Sequence, residues 1–311
     1  MSVAQVVAGP TSCFDVVVAS LRRLSPSFLR VTLAGSALAD LDPCGPLGPR
    51  DLRVKLLVPH GDRPPSPITD LGPGWYPRWL ARDPHERGEL RTYTIRSIRG
   101  DGPDVEVDVD VVLHDDAAGA PGPAARWART LAVGDRVLLL GPNRHSEEPY
   151  GGIAWRPPPL HLGRGRVVLV ADETAVPAVA SILATLPDGY DARAILEVPT
   201  PEDFLQLRIG PEVEVTWLAR GHQPRGVRLA AAVSEAVGRG TVSRATTELA
   251  EHDAEDDVWE TPEDLGLVPG SAAPYVWIAG ESGVVRALRR QLVGELGLPR
   301  SSIAFMGYWR A

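Results

Sequence analysis

The sequence predicts a small antiparallel β-barrel followed by an α/β domain built on a parallel sheet. Three observations lead there. The chain has 311 residues, more than one hydrophobic core usually serves. Up to Pro142 the apolar runs are short and broken by Gly, Pro, Ser and Asp, as in small barrels. Beyond Gly165, continuous apolar runs alternate with stretches of helical spacing, the pattern of parallel strands covered on both faces.

In the first half, Phe14–Val18 and Phe28–Leu33 read as strands joined by a turn at Ser25-Pro26-Ser27. Leu52–Val58 is a third, closed by Pro59. After a Pro/Gly-rich loop come Arg91–Arg99 and Asp104–His114. The latter alternates strictly, with Val105, Val107, Val109 and Val111 on one face and acids on the other. It reads as a half-buried antiparallel strand. Ala124–Leu131 is a short helix, and Val133-Gly134-Asp135 turns into the strand Arg136–Leu140. These elements define an expected barrel domain over 12–143, with a Pro-, Gly- and His-rich linker over 144–165.

In the second domain, expected over 166–311, Val167–Val170, Ala192–Val198, Val213–Leu218, Tyr275–Ala279 and Ile303–Tyr308 read as strands. Val176–Leu186, Leu229–Val237 and Val284–Leu296 read as helices. An acidic loop interrupts the pattern over 241–270. Between Glu248 and Asp264 it holds nine acidic residues and no Lys or Arg. A solvated loop explains this, as does a docking patch for a basic partner.

Composition excludes several classes of function. Two cysteines, Cys13 and Cys44, cannot ligate an iron–sulfur cluster or build a disulfide framework. The seven histidines show no helical metal spacing, so no metal site is expected, and redox chemistry would need a bound organic cofactor. A net charge of −8 argues against nucleic acid as a partner. No run is long and apolar enough to span a membrane. The start of the chain lacks signal-peptide features, so a cytoplasmic protein is expected, taken here as a monomer. Of the 32 lysine and arginine side chains, Lys55 alone is lysine.

The chemistry concentrates in Arg91-Thr92-Tyr93-Thr94-Ile95-Arg96. In a strand, Arg91 and Tyr93 share a face about 7 Å apart. The phenol can stack on an isoalloxazine while the guanidinium reaches phosphate or ribityl oxygens. Thr94 can present its hydroxyl or N–H to the ring edge. An ordinary amphipathic barrel strand has the same pattern. The next strand end supplies Val112 and His114, the latter placed to lie beside an adenine. Gly122-Pro123-Ala124 opens the short helix as a seat for pyrophosphate, or as plain helix punctuation.

Seven blocks in order, Arg91–Arg96, the His114 strand end, Gly122–Trp127, Gly134–Val137, Ala171–Pro177, Val276–Glu281 and Met306–Arg310, resemble the siderophore-interacting proteins. The match runs from Phe14 to Ala311. The resemblance implies a ferredoxin reductase-like fold and a non-covalent FAD in the barrel domain. It implies electrons from NADH, NADPH or a ferredoxin, and a ferric siderophore as acceptor. No catalytic acid or base is expected, because the flavin carries the chemistry.

Further site residues follow from the resemblance. The loop with Asp172, Glu173, Thr174 and Ala175 stands where ferredoxin reductases carry a Gly-rich turn for a dinucleotide. Its carboxylates suit a helix start but repel pyrophosphate, which puts tight NAD(P)H binding in doubt. Trp309 stands where related reductases place an aromatic near the flavin, although packing of a last strand also explains it. Lys55, with Arg126, Arg286 and Arg289, is expected to form a cationic bowl for an anionic chelate. A solvated helix face explains Arg286 and Arg289 equally.

Overall fold

The computed structural model describes residues 9–45, 48–59, 64–113, 122–157, 165–238, 259–262 and 273–311. The chain divides into two compact units, Met1–Ile153 and Ala154–Ala311, the division falling inside the segment read as a linker. No helix among the described residues is long and apolar enough to cross a membrane.

The first unit contains strands β1 (Thr11–Arg23), β2 (Phe28–Ala34) and β3 (Arg53–Val58), then short helices α1 (Trp75–Leu80) and α2 (Pro84–Arg87). Strands β4 (Glu89–Arg99) and β5 (Glu106–Val112), helix α3 (Pro123–Thr130) and strand β6 (Arg136–Pro142) complete it. The strands close into a barrel in the order β1-β2-β5-β4-β3-β6, with every pair antiparallel. Helices α1 and α2 lie in the Pro/Gly-rich loop, and the sequence reading missed them. Both are too short to show a period. Trp79 of α1 packs with Leu57, Ile68, Leu138 and Leu140.

The alternating strand β5 buries Val107, Val109 and Val111 as expected, but it is not half-exposed. Asp108 and Asp110 are only 3% and 4% exposed. Arg30 grips Asp110 with Nε at 2.6 Å and Nη2 at 2.7 Å. Asp108 accepts from Thr32 Oγ1 at 2.8 Å, from Ser97 Oγ at 2.7 Å and from Arg99. Cross-strand pairs thus cover the acidic face as fully as valine packing covers the other.

The second unit contains β7 (Gly165–Ala171), α4 (Val176–Ala184), β8 (Tyr190–Val198), β9 (Val213–Ala219) and α5 (Val227–Val237). After β10 (Trp259–Glu260) come β11 (Tyr275–Glu281), α6 (Ser282–Arg289) and β12 (Ile303–Trp309). The sheet order is β10-β12-β11-β7-β8-β9. It is parallel except for β10, a two-residue edge strand antiparallel to β12. Helix α6 starts two residues before the expected Val284 because the Glu281 carboxylate accepts from Val284 N at 2.9 Å. It then widens into a π turn over Arg290–Glu295. The chain enters the sheet at β7, runs outward through β8 and β9, and returns on the other side of β7 at β11. The strand order therefore reverses between β7 and β11. In open parallel sheets the carboxyl ends at such a reversal border the ligand crevice.

Asp108 supplies the clearest stability test of the barrel. Burial raises its pKa, but hydrogen bonds from Arg99, Ser97 and Thr32 outweigh that and hold it below the usual carboxylate range. Asp108→Ala should cost about 2 kcal/mol in urea unfolding, because buried donors lose their acceptor. A depressed pKa contributes stability that is lost as pH falls, so the gap to wild type should narrow below about pH 4. An unchanged midpoint at neutral pH would show that these bonds carry no net stability.

Candidate functional site

The barrel wall parts along β4. Residues 89–94 of this strand pair with β3. From Ile95 onward the strand pairs with β5 instead, Ile95 standing opposite Val109. Between Ile95 and Ser97 the register slips, so Arg96 is the bulged residue. Among the described residues no ladder joins β4 before Ile95 to β5 after Val109, while β5 stays paired to β2 along its other edge. Helix α3 packs against both β3 and β5, the strands on either side of β4. Its Ala125 and Ala128 are the buried contacts, small enough for close approach. Bulges commonly re-aim side chains beside a site.

Arg91, Tyr93 and Thr94 lie on the length of β4 that has left β5. Register sets Arg91 beside Leu56 and Tyr93 beside Val54, so the two share a face as alternation requires. Tyr93 is half-buried, and burial pushes its phenol far above the ordinary value against the pull of Arg91. Arg91 donates to the Glu89 carboxylate and, at 3.0 Å, to Leu90 O. Thr94 is 6% exposed, and its hydroxyl has no hydrogen bond among the described residues. Arg96, half-buried, likewise has none. Burial lowers its pKa, with Asp110 and Asp108 opposing and Arg30 adding to the shift.

Across the opening, Val112 is half-buried opposite Phe28, and Leu113 N donates to Ser27 O at 2.8 Å. His114 lies outside the described residues. At the start of α3, Gly122 has an ordinary φ of −60°, and no described atom lies within 4 Å of a Cβ built on it. Among the described residues, nothing packs into this position. Pro123 opens the helix, so the N–H groups of Ala124 and Ala125 have no partner within the helix.

Lys55 stands opposite Thr92, on the other face of the β3–β4 ribbon from Tyr93. Its Nζ donates to Thr92 Oγ1 at 3.1 Å, which lays the side chain across the motif strand. Desolvation, then the nearby Arg53, lower its pKa, although the residue itself is exposed. Arg126 is exposed on α3 and Arg286 on α6. Arg289 is already engaged: it donates to Glu260 at 3.2 Å and lies over the Phe305 ring.

In the second unit, the acidic pair is engaged internally rather than capping α4. Asp172 Oδ1 accepts from Thr174 N at 2.8 Å and Thr174 Oγ1 at 2.6 Å. Its Oδ2 accepts from Glu281 N at 2.7 Å and Trp309 Nε1 at 2.8 Å. Glu173 is fully buried and takes both Arg220 nitrogens, at 2.9 and 3.1 Å, together with Arg225. The Arg225 guanidinium lies 4.7 Å from the Trp309 ring centroid. Ala175 is buried at the start of α4. Sequence reasoning missed Arg96, Arg220 and Arg225. Only Arg96 had a local signal, as the last residue of the motif.

Two family models account for most of the chain. The siderophore-interacting FAD-binding domain matches residues 17–146, and the siderophore-interacting protein model matches 165–311. An uncharacterised protein of Mycobacterium tuberculosis is 30% identical over 97% of this chain and 90% of its own length. The ferric vibriobactin reductase ViuB of Vibrio cholerae is 26% identical over 92% of this chain and 85% of its own. A siderophore utilization protein from T. fusca superposes with a TM-score of 0.64 at 26% identity, covering 97% of this chain and 94% of that one. The chain belongs to the siderophore-interacting protein family. Its fold is ferredoxin reductase-like: the ferredoxin reductase in carbazole 1,9a-dioxygenase superposes with a TM-score of 0.56 at 17% identity, over 97% of this chain and 69% of that one.

Burial, then the charge of Glu173, pushes the Asp172 carboxyl up to about 6 against the pull of Thr174 and Trp309. A raised carboxyl pKa adds stability at acid pH that is lost as pH rises through the folded value. The indole N–H resonance of Trp309 should therefore shift with a midpoint near 6, and the shift should vanish in Asp172→Ala. A resonance that moves only below about pH 4, where free carboxylates titrate, would contradict this environment.

Proposed function

We propose that the chain is an FAD-dependent ferric-siderophore reductase, taking electrons from NADH, NADPH or a ferredoxin and releasing iron as Fe(II). The observation that carries the reading is the parting of β4 from β5. Arg91, Tyr93 and Thr94 lie on the length of β4 not paired to β5, inside the segment matched by a siderophore-interacting FAD-binding domain, which supports the reading.

The residues present fit FAD. Tyr93 offers an aromatic face, and the Thr94 hydroxyl and the Arg96 guanidinium are donors without acceptors among the described residues. The start of α3 adds N–H groups without a partner inside the helix, and among the described residues nothing lies within 4 Å of a Cβ at Gly122. FAD, when bound, supplies the exchange between a two-electron donor and a one-electron acceptor. Tyr93 provides the stack, and Thr94 a hydroxyl or N–H for the ring edge. Val112 serves the same site from the end of β5, and Gly122, Pro123 and Ala124 form the helix start, where aligned N–H dipoles favour phosphate. Arg91 adds a cation that Glu89 already holds in place. In the first unit, Lys55 and Arg126 are exposed cations that favour an anionic chelate. In the second unit Arg286 is likewise exposed, while Arg289 is already paired with Glu260.

Iron release from ferric hydroxamates and catecholates, assayed with NADH, NADPH and reduced ferredoxin, tests the activity. Turnover with at least one donor is expected, and its absence with all three would leave a carrier rather than a reductase. Protein denatured after purification should release FAD, and release of FMN would displace the adenine and pyrophosphate assignments. Tyr93→Ala should weaken FAD retention by about 1–3 kcal/mol, the scale of a lost stack and its buried area. Full flavin occupancy after gel filtration of that variant would move the ring elsewhere.

Lys55→Ala should leave flavin content intact and raise the half-saturating concentration of an anionic ferric chelate. That effect should shrink with salt, because exposed charges are screened over about 8 Å at physiological ionic strength. Wild-type parameters at low salt would remove Lys55 from the acceptor site.

A further inference from the structure

The reversal of strand order between β7 and β11 marks where an open parallel sheet ordinarily seats a ligand's phosphate, against the first turn of the helix that follows the first strand. A carboxylate of the chain itself stands at this point. Asp172, the residue after β7, is 4% exposed and draws four donors from three parts of the unit: Thr174 N and Oγ1, Glu281 N at the end of β11, and Trp309 Nε1 at the end of β12. Four convergent N–H and O–H groups are the donor set an anion site presents to phosphate oxygens.

The surroundings fit this occupant closely. A Cβ on Gly280 would lie 2.7 Å from Asp172 Oδ2, so the β11 backbone can come this near only because position 280 has no side chain. Trp309 is fixed twice, by Asp172 at its edge and by Arg225 over its face. Arg225 is anchored in turn on Glu173, which is closed off by Arg220. Glu197, buried at the end of β8, accepts from Gly226 N at 3.0 Å and lies 3.5 Å from Arg220 Nη1. The carboxyl ends of β7, β8, β11 and β12 and the residue following β9 are thereby tied into one charged network, with Asp172 in its anion position.

We infer that Asp172 is an internal substitute for a dinucleotide phosphate and determines donor specificity: the second unit does not dock the pyrophosphate of NAD(P)H at its switch point. This rests on the reading of the chain as a flavin-dependent electron carrier. A nicotinamide donor then reacts through its nicotinamide end alone, without an anchored adenylate half. Other donors must likewise act without entering this crevice.

Two measurements test the inference. Inorganic pyrophosphate, titrated by calorimetry, should show no saturable binding to the wild-type holoprotein. Asp172→Gly removes the carboxylate and leaves its donors unfilled, so it should bind pyrophosphate saturably and at least about tenfold tighter, the gain expected when a seat of charge-assisted donors opens. Trp309→Phe removes one donor without opening the seat and should gain nothing. If Asp172→Gly does not fold, the wild-type protein decides the matter. Reduced nicotinamide mononucleotide, which lacks the adenylate half and the pyrophosphate, should then reduce the flavin within about threefold of NADPH, a difference too small for a lost phosphate anchor. Saturable wild-type binding of pyrophosphate, or a mononucleotide slower than NADPH by orders of magnitude, would overturn the inference. A protein that retains no flavin at all would instead defeat the reading on which it rests.

Discussion

The first unit depends on one feature: β4 is not paired to β3 and to β5 along the same length. It takes β3 as partner up to Thr94 and β5 from Ile95, with Arg96 bulged at the exchange. A backbone edge without a ladder is costly unless something else meets it. Among the described residues, the Thr94 hydroxyl and the Arg96 guanidinium are left without acceptors on the same strand as Tyr93. The acids and arginines on β2, β4 and β5 hold this arrangement in register, because each buried carboxylate of β5 is matched from its neighbouring strands. A slip of one residue would put Asp108 and Asp110 among the valines of the core.

The second unit solves a different problem with the same material. Its parallel strands are apolar along their length, and polar groups gather at their carboxyl ends. Buried carboxylates are tolerated only when paired and hydrogen-bonded. Glu173 satisfies this with two arginines that follow β9, and Asp172 with donors from its own loop, β11 and β12. The sheet order brings these ends together. Trp309 is held there by the carboxylate and the guanidinium that flank it.

Much of this was legible in the sequence, and what was missed shares a physical cause. Period-two alternation exposed β5, and the change from short punctuated runs to long apolar ones exposed the boundary between barrel and parallel sheet. The Arg91–Arg96 motif was legible because its residues are neighbours on a single strand. Pairings such as Glu173 with Arg220, or Asp172 with Trp309, depend on which strands lie side by side, and no local spacing carries that information. For the same reason Asp108 and Asp110 read as a solvent face until their cross-strand partners are known. The helices α1 and α2 and the edge strand β10 are shorter than any detectable period. Arg289 looked like a free cation only because its partner, Glu260, lies on an edge strand of two residues.

The central claim is that electrons pass from bound FAD to a ferric chelate. Under anaerobic conditions, protein whose flavin has been reduced with dithionite can be mixed with a ferric siderophore in the presence of a ferrous trap. The account predicts reoxidation of the flavin in step with the appearance of about two Fe(II) per flavin, the ratio of a two-electron carrier to a one-electron acceptor. A flavin that stays reduced until oxygen is admitted, with no ferrous iron trapped, would contradict it.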